Sequence, residues 1–249
     1  MARNLFDVAG KIVLITGGTR GLGLAMAKGF AEAGADIVVS SRKAEACEAV
    51  AAELRALGVR SVGIPCHVGY WDQVDKLAEE GWAAFGRIDV LINNAGMSPL
   101  APSSLETTEA LFDKVVDVNF KGPFRLTSLV GSKMVAGAGG SIINISSTGA
   151  LAPMPNIIPY AGAKAALNAA SVAFAKEYGP KVRVNVISPG GFLTDVATEW
   201  KDSPTVTDRV ALKRFGESEE IVSTALYLAS DASSYTTAAN IRVDGGAPP

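Results

Sequence analysis

Tyr160 stands four residues before Lys164, at the start of an apolar-periodic stretch. Positions i and i+4 share one face of a helix, so a phenol and an ammonium in that register point the same way. An unperturbed phenol has a pKa of about 10, too high for an efficient base near neutrality. A fixed neighbouring cation favours the phenolate and is expected to bring that value down. Such a pair can exchange a proton with an oxygen of a small molecule, although Tyr-x-x-x-Lys also occurs as plain surface decoration. Thirteen residues before Tyr160, Ser147 closes a β-branched run with Ser146 beside it. Adjacent strand residues face opposite ways, so the two hydroxyls compete for one place in a crevice. A second β-rich run ends in Asn93-Asn94-Ala95-Gly96, and Asn119 lies in the helical stretch that follows. The carboxyl-terminal edge of a parallel sheet is where an open α/β fold places its ligand, so these residues are expected around one crevice.

A second group of residues suits an anion. Thr16-Gly17-Gly18-Thr19-Arg20-Gly21-Leu22-Gly23 follows the first strand run and opens a helical stretch. Glycines let a backbone turn tightly and approach a pyrophosphate, and a helix N-terminus offers unpaired N–H groups to it. No Gly-Lys-Ser/Thr follows, which excludes a nucleotide-triphosphatase loop. A bare strand-to-helix turn would also use such glycines. The second strand run ends Ser40-Ser41-Arg42-Lys43. A ribose 2′-hydroxyl wants an acid at that edge and a 2′-phosphate wants arginine. Asp36 precedes this strand, at the opposite edge. Arg42, with Ser41 and Arg20, therefore favours NADP over NAD, unless both arginines are only solvated surface charges.

These residues need a scaffold, and the pattern supplies one. Short β-branched runs over 12–15, 37–40, 62–66, 90–92, 141–145, 184–187 and 241–243 alternate with helical stretches over 22–33, 44–57, 71–85, 110–136, 160–178 and 219–229. Several strand runs are continuously apolar, as when helices cover both faces. The expectation is an α/β, Rossmann-type doubly wound parallel sheet of about seven strands in one domain over 1–249. The stretch 190–214, of doubtful structure, is expected to be a substrate lid. The chain has 249 residues, 48% of them apolar, and a formal net charge of −2. That balance argues against a dedicated nucleic-acid binder, and no run is long enough to span a membrane. Residues 1–10 carry no apolar signal region and Ala247-Pro248-Pro249 is no retention address, so a cytoplasmic location is expected. Cys47 and Cys66 make neither a disulfide framework nor a metal site, and no metal is expected.

Together these pieces resemble the short-chain dehydrogenase/reductase family in its single-domain branch, over nearly the whole chain. The likeness rests on 16–23, Asn93-Asn-Ala-Gly96, Asn119, Ser147, Tyr160-x-x-x-Lys164, Pro189-Gly190 with Thr194, and Val243-Asp-Gly-Gly246. The resemblance implies a catalytic tetrad. Tyr160 would exchange a proton with the substrate oxygen, Ser147 (whose spacing to Tyr160 fits the family) would position that oxygen, Lys164 would hold the nicotinamide ribose and lower the phenol pKa, and Asn119 would support a water linking Lys164 to solvent. Gly17, Thr19, Arg20, Gly21, Leu22 and Gly23 would hold the pyrophosphate. Asn93 with Asn94, Ala95 and Gly96 would line the adenosine side. Pro189, Gly190, Phe192 and Thr194 would reach the cofactor near the carboxamide or pyrophosphate. Where the family usually has Asp-Val after the third strand this chain has His67-Val68, so adenine recognition would lean on the Val68 backbone. Thr237-Ala238 stands where Thr-Gly is common.

The implied activity is interconversion of a ketone or aldehyde with an alcohol, as an NADPH-dependent carbonyl reductase, with an NAD-dependent alcohol dehydrogenase or a non-catalytic dinucleotide sensor as alternatives. Residues 98–100, 150–155, Phe192 and 196–200 would wall the substrate pocket, with Leu151, Met154, Phe192 and Trp200 giving it an apolar lining. Family members commonly form tetramers, and the small residues of 160–178 suit packing between subunits or against the chain's own sheet, so a homo-oligomer, dimer or tetramer, is expected. The single histidine and the lack of a G-x-S-x-G elbow exclude a Ser-His-Asp hydrolase of the usual kind.

Overall fold

The computed structural model describes residues 5–194 and 207–248. Its strands are β1 (Ile12–Thr16), β2 (Asp36–Ser41), β3 (Ser61–Pro65), β4 (Val90–Asn93), β5 (Gly140–Ile145), β6 (Val182–Pro189), β7 (Phe192–Leu193), β8 (Gly216–Glu217) and β9 (Asn240–Val243). The helices are α1 (Gly21–Glu32), α2 (Ala44–Ala56), α3 (Trp71–Phe85), α4 (Glu109–Val116), α5 (Gly122–Ala136), α6 (Ile158–Tyr178) and α7 (Val222–Ala229). Seven strands form one sheet in the order β3-β2-β1-β4-β5-β6-β9, every neighbouring pair parallel. The order reverses between β1 and β4, and that switch point opens a crevice at the carboxyl-terminal edge.

Strand residues alternate between two buried layers, as the period of two requires. Val13, Ile15, Ile37, Val39, Val90, Ile92 and Ile143 face α1, α2 and α7, against Met26, Phe30, Leu54 and Leu228. Leu14, Val38, Leu91, Ile142 and Val184 face α3, α5 and α6, against Leu77, Val130 and Phe174. This covering on both faces explains the continuously apolar runs. Gly86 caps α3 with φ +77, a left-handed backbone that a side chain would oppose.

Three local differences from the sequence reading have physical causes. The stretch 110–136 is not one α-helix: a π-turn, Asp117–Lys121, separates α4 from α5. Pro123 offers no N–H to the carbonyl four residues earlier and its ring crowds that position, so the helix widens just before it. Asp36 opens β2 rather than preceding it. Ala238 keeps the left-handed turn at φ +59 despite having a Cβ, and its N–H still donates to Val184 O at 2.8 Å.

Candidate active site

β1 delivers the chain to the glycine turn, and β4 fixes that turn from the side. Asn94 donates through Nδ2 to the carbonyls of Thr16 and Gly17 at 3.0 and 3.2 Å. Thr16 Oγ1 accepts from the N–H groups of Asn94 and Ala95, each at 3.1 Å. Gly17 has φ +66, and a Cβ on it would lie 2.9 Å from the Ala95 backbone. A Cβ on Gly23 would lie 2.1 Å from the Gly17 carbonyl. Arg20 occupies the N-cap of α1 in an extended conformation, without a side-chain cap, and the first turn has no acid. The open N–H groups and positive dipole end therefore fit a pyrophosphate. Thr194, directly after β7, lies about Gly21: a Cβ there would meet Thr194 Cγ2 at 3.4 Å.

At the end of β2, Thr19 Oγ1 donates to Ser41 Oγ at 2.9 Å, tying the turn to the second strand. Arg42 and Arg20 are exposed beside it. Asp36 pairs in register with Ile12, at the far edge of the sheet, and Arg60 holds its carboxylate through Nε and Nη2 at 3.0 and 2.6 Å. It is removed from the crevice both by position and by pairing.

The residues expected to handle the proton converge at β5, two strands from β1. Lys164, 3% exposed, donates to the Ile145 carbonyl at 2.7 Å. Burial pulls its ammonium down from the usual 10.5 to about 8. Its Nζ is 6.0 Å from the centre of the half-buried Tyr160 ring. Ser147 Oγ accepts the Gly149 N–H at 2.9 Å, which leaves its own proton free to donate. Gly149 lies between the pair: a Cβ there would meet Ser147 Oγ at 3.3 Å and Tyr160 Cε1 at 3.7 Å. Burial pushes the Tyr160 phenol up, and the Ser147 hydroxyl pulls it back. Lys164 donates to the Ile145 carbonyl, and loss of hydration is the larger influence on the phenol. Ser146 is buried and turned to the Lys164 carbonyl at 3.4 Å.

Asn119 sits in the π-turn, fully buried. Its Nδ2 donates to the carbonyls of Met97 and Val115 at 2.8 and 2.9 Å, and its Oδ1 accepts the Met97 N–H at 3.2 Å. Gly96 leaves room where Asn119 and Lys164 approach, since a Cβ would meet Asn119 Oδ1 at 3.0 Å and Lys164 Nζ at 3.6 Å. The sequence places Gly96 with the adenosine; here it lies where Asn119 and Lys164 approach, two residues that the resemblance links through a water.

Other expected contacts are used differently. Asn93 does not line the crevice; it turns beneath the sheet to Thr127 and Asn144. Phe192 is a core residue, 5% exposed, against Gly216. The Val68 carbonyl is directed at Gly122, where a Cβ would come within 2.0 Å of it, so that carbonyl does not face the crevice. His67 Nδ1 accepts the Gly69 N–H at 3.2 Å and its ring lies 4.6 Å from that of Tyr70. Pro189 ends β6 opposite Val243, and Gly190 packs on Asp244, 2.6 Å from Cβ to Cβ if it had one. Leu22 is half-buried on the first turn of α1. Leu100, Leu151 and Met154 are exposed at 60%, 44% and 55%, giving the region an apolar rim. Residues 196–200 and Lys201 lie outside the described residues; the base of the expected lid is the β7–β8 pair. Cys47 and Cys66 are free and buried, and burial raises Cys66 to about 12. Among the described residues no group of His, Cys, Asp and Glu could hold a metal ion, and no helix is long and apolar enough to cross a membrane.

A glycine turn with open N–H groups at the switch point of a doubly wound sheet, with a tyrosine and a lysine at the strand two places away, suits a dinucleotide-dependent oxidoreductase. A family model described as enoyl-(acyl carrier protein) reductase matches residues 17–248. Human dehydrogenase/reductase SDR family member 4 is 34% identical over 246 residues, 97% of this chain and 88% of the relative. D-threitol dehydrogenase of Mycolicibacterium smegmatis is 34% identical over 245 residues, covering 97% and 94%. Among solved structures, a short-chain type dehydrogenase/reductase from Mycobacterium marinum superposes with a TM-score of 0.92 at 34% identity, covering 98% and 97%. A Beutenbergia cavernae protein assigned as an NAD(P)-dependent gluconate 5-dehydrogenase, with NADP bound at low occupancy, has a TM-score of 0.93 at 31% identity, covering 98% of both chains. The chain belongs to the short-chain dehydrogenase/reductase family and is an oxidoreductase acting between CH–OH and C=O groups.

Proposed function

We propose that this protein is an NADPH-dependent carbonyl reductase using Asn119, Ser147, Tyr160 and Lys164. The observation that carries the reading is the convergence of Ser147 and Tyr160 about Gly149, with Lys164 Nζ 6.0 Å from the Tyr160 ring. A phenol and a hydroxyl meeting at one point can share a substrate oxygen, one delivering a proton to it and the other aligning it. The dinucleotide, when bound, supplies the hydride.

The chain's own residues do the rest. Gly17, Thr19, Arg20, Gly21, Leu22 and Gly23 hold the pyrophosphate, with Thr194 beside Gly21. Arg42 and Ser41 receive the 2′-phosphate, which the remoteness of Asp36 supports. Ser147 donates to the substrate oxygen and aligns it. Tyr160 Oη delivers its proton to that oxygen, and takes it back in oxidation. Lys164 holds the ribose with the ammonium protons not given to Ile145, and Asn119, facing it across Gly96, supports reprotonation. The apolar rim of Leu100, Leu151 and Met154 favours an uncharged carbonyl substrate, with residues 190–214 as the lid of a single domain. The exposed small face of α6 (Gly162, Ala165, Ala169, beside Val172) supports a homo-oligomer, dimer or tetramer. Unpaired Cys47 and Cys66 support a reducing, cytoplasmic setting.

NAD-dependent oxidation of an alcohol is the second reading, favoured by the relative named D-threitol dehydrogenase. The test is NADPH oxidation with 1-phenyl-1,2-propanedione, an uncharged diketone, by the parent and by Tyr160→Phe. The parent is expected to turn over and Tyr160→Phe to lose about 10³-fold in kcat, with NADPH affinity within about twofold. Full turnover by Tyr160→Phe would remove the mechanism.

A further inference from the structure

Between the sheet and α6 runs a chain of buried polar groups that the proton chemistry does not use. Asn93 and Asn144 lie opposite each other on β4 and β5. Asn93 Nδ2 donates to Asn144 Oδ1 at 2.8 Å and to Thr127 Oγ1 of α5 at 3.0 Å. Asn144 Nδ2 donates to Ser171 Oγ of α6 at 2.8 Å, and Ser171 donates to the Leu167 carbonyl at 2.7 Å. None of these four side chains is more than 2% exposed. They cross a layer otherwise built from Leu91, Ile142, Leu126 and Val130.

Beyond Lys164 the inward face of α6 carries Leu167, Phe174 and Tyr178, but beside Tyr160 and Lys164 it buries only Ala161 and Ala163. Those small groups have shallow ridges, so at the turn that carries the site, shape resists axial sliding weakly. The polar chain resists it differently. A one-residue slip moves Ser171 about 1.5 Å along the axis. The Asn144 amide would then be buried without a partner, a state that proteins avoid strongly.

The active site depends on this same register. Asn144 directly precedes Ile145, whose carbonyl holds Lys164, and stands three residues before Ser147. Ser171 lies seven residues, two helical turns, after Lys164. We propose that Asn144 and Ser171 are positioning residues that pin the axial register of α6 against β5, and so hold Tyr160 and Lys164 opposite Ser147 and the Ile145 carbonyl. Neither touches the reacting atoms; both act through α6. The inference rests on the reading of Tyr160 as the proton-exchanging group.

Ser171→Ala removes the link with little change in volume, and Ser171→Thr keeps the hydroxyl. In each background, an ultraviolet phenolate titration compared with the same protein carrying Tyr160→Phe isolates the Tyr160 midpoint without cofactor or substrate. A loosened Ser147–Tyr160 contact removes what draws the phenol down. Ser171→Ala should therefore raise the midpoint by about half a unit or more, and Ser171→Thr should restore it. With NADPH and 1-phenyl-1,2-propanedione, kcat should fall about tenfold in Ser171→Ala, with a clearly smaller fall in NADPH affinity, because Lys164 rides on α6 whereas the phosphate turn lies on β1 and α1. Asn144→Ala should repeat the pattern; if it does not fold, the Ser171 pair decides. An unchanged or lowered midpoint in folded Ser171→Ala overturns the pin, as does failure of Ser171→Thr to rescue, or a fall in NADPH affinity parallel to kcat. If the parent itself does not reduce the diketone, the functional reading fails, and the titration still decides the pin.

Discussion

The charge of Lys164 is governed by its burial. Burial brings its ammonium from 10.5 to about 8, so it is charged below about pH 8 and neutral above. A charged Nζ attracts an anionic dinucleotide and donates to its ribose, so NADPH affinity should fall as pH rises through about 8. A fluorescence titration at several pH values checks this, and Lys164→Met should show weaker binding without that inflection. The same depression has a stability consequence. Between about 8 and 10.5 the unfolded chain binds the proton and the folded chain does not, so this group makes stability rise with pH across that window. Flat NADPH affinity through pH 8 would count against the charge role. At this scale the sequence was informative about Tyr160, Lys164, Ser147 and Asn119, because their types and spacing carry chemistry. It was uninformative about Asn93 and Phe192: an amide or a ring at a strand end can face either side, and only packing decides.

Elements explain why short motifs land where they do. Boundaries of the seven main-sheet strands were legible to within a residue or two, since β-branched runs between glycines have few alternatives, whereas the two-residue β7 and β8 were not read. The π-turn was not read, although Pro123 marks it. Asn119 lies within that turn, and its amide closes on Met97 and Val115. The turn before β9 gives a direct test. Ala238 pays for a left-handed backbone at φ +59 that glycine adopts freely. Ala238→Gly should stabilise the protein by about 1 kcal/mol, read as a higher denaturant midpoint at unchanged slope. A lower midpoint would mean that the Ala238 methyl packs usefully, contrary to the strain argument.

For the whole molecule, the strand order places two half-sites side by side at one switch point, the anion turn on β1–α1 and the proton-handling groups on β5 and α6. Alternation of strands and helices made that architecture legible before any contact was known. The register between α6 and β5 was not legible, because Asn144 and Ser171 look like ordinary polar residues until the sheet brings them together. On the proposed reading the second strand selects a phosphorylated ribose, with Arg42 at its end and Asp36 locked onto Arg60 at the far edge. Fluorescence titration of the protein with NADPH and with NADH tests it most directly. NADPH is expected to bind tighter by about 10- to 100-fold, the range for a charge-assisted contact of about 1.5–3 kcal/mol, with Arg42→Ala removing most of the difference. Equal affinity, or a preference for NADH, would contradict it.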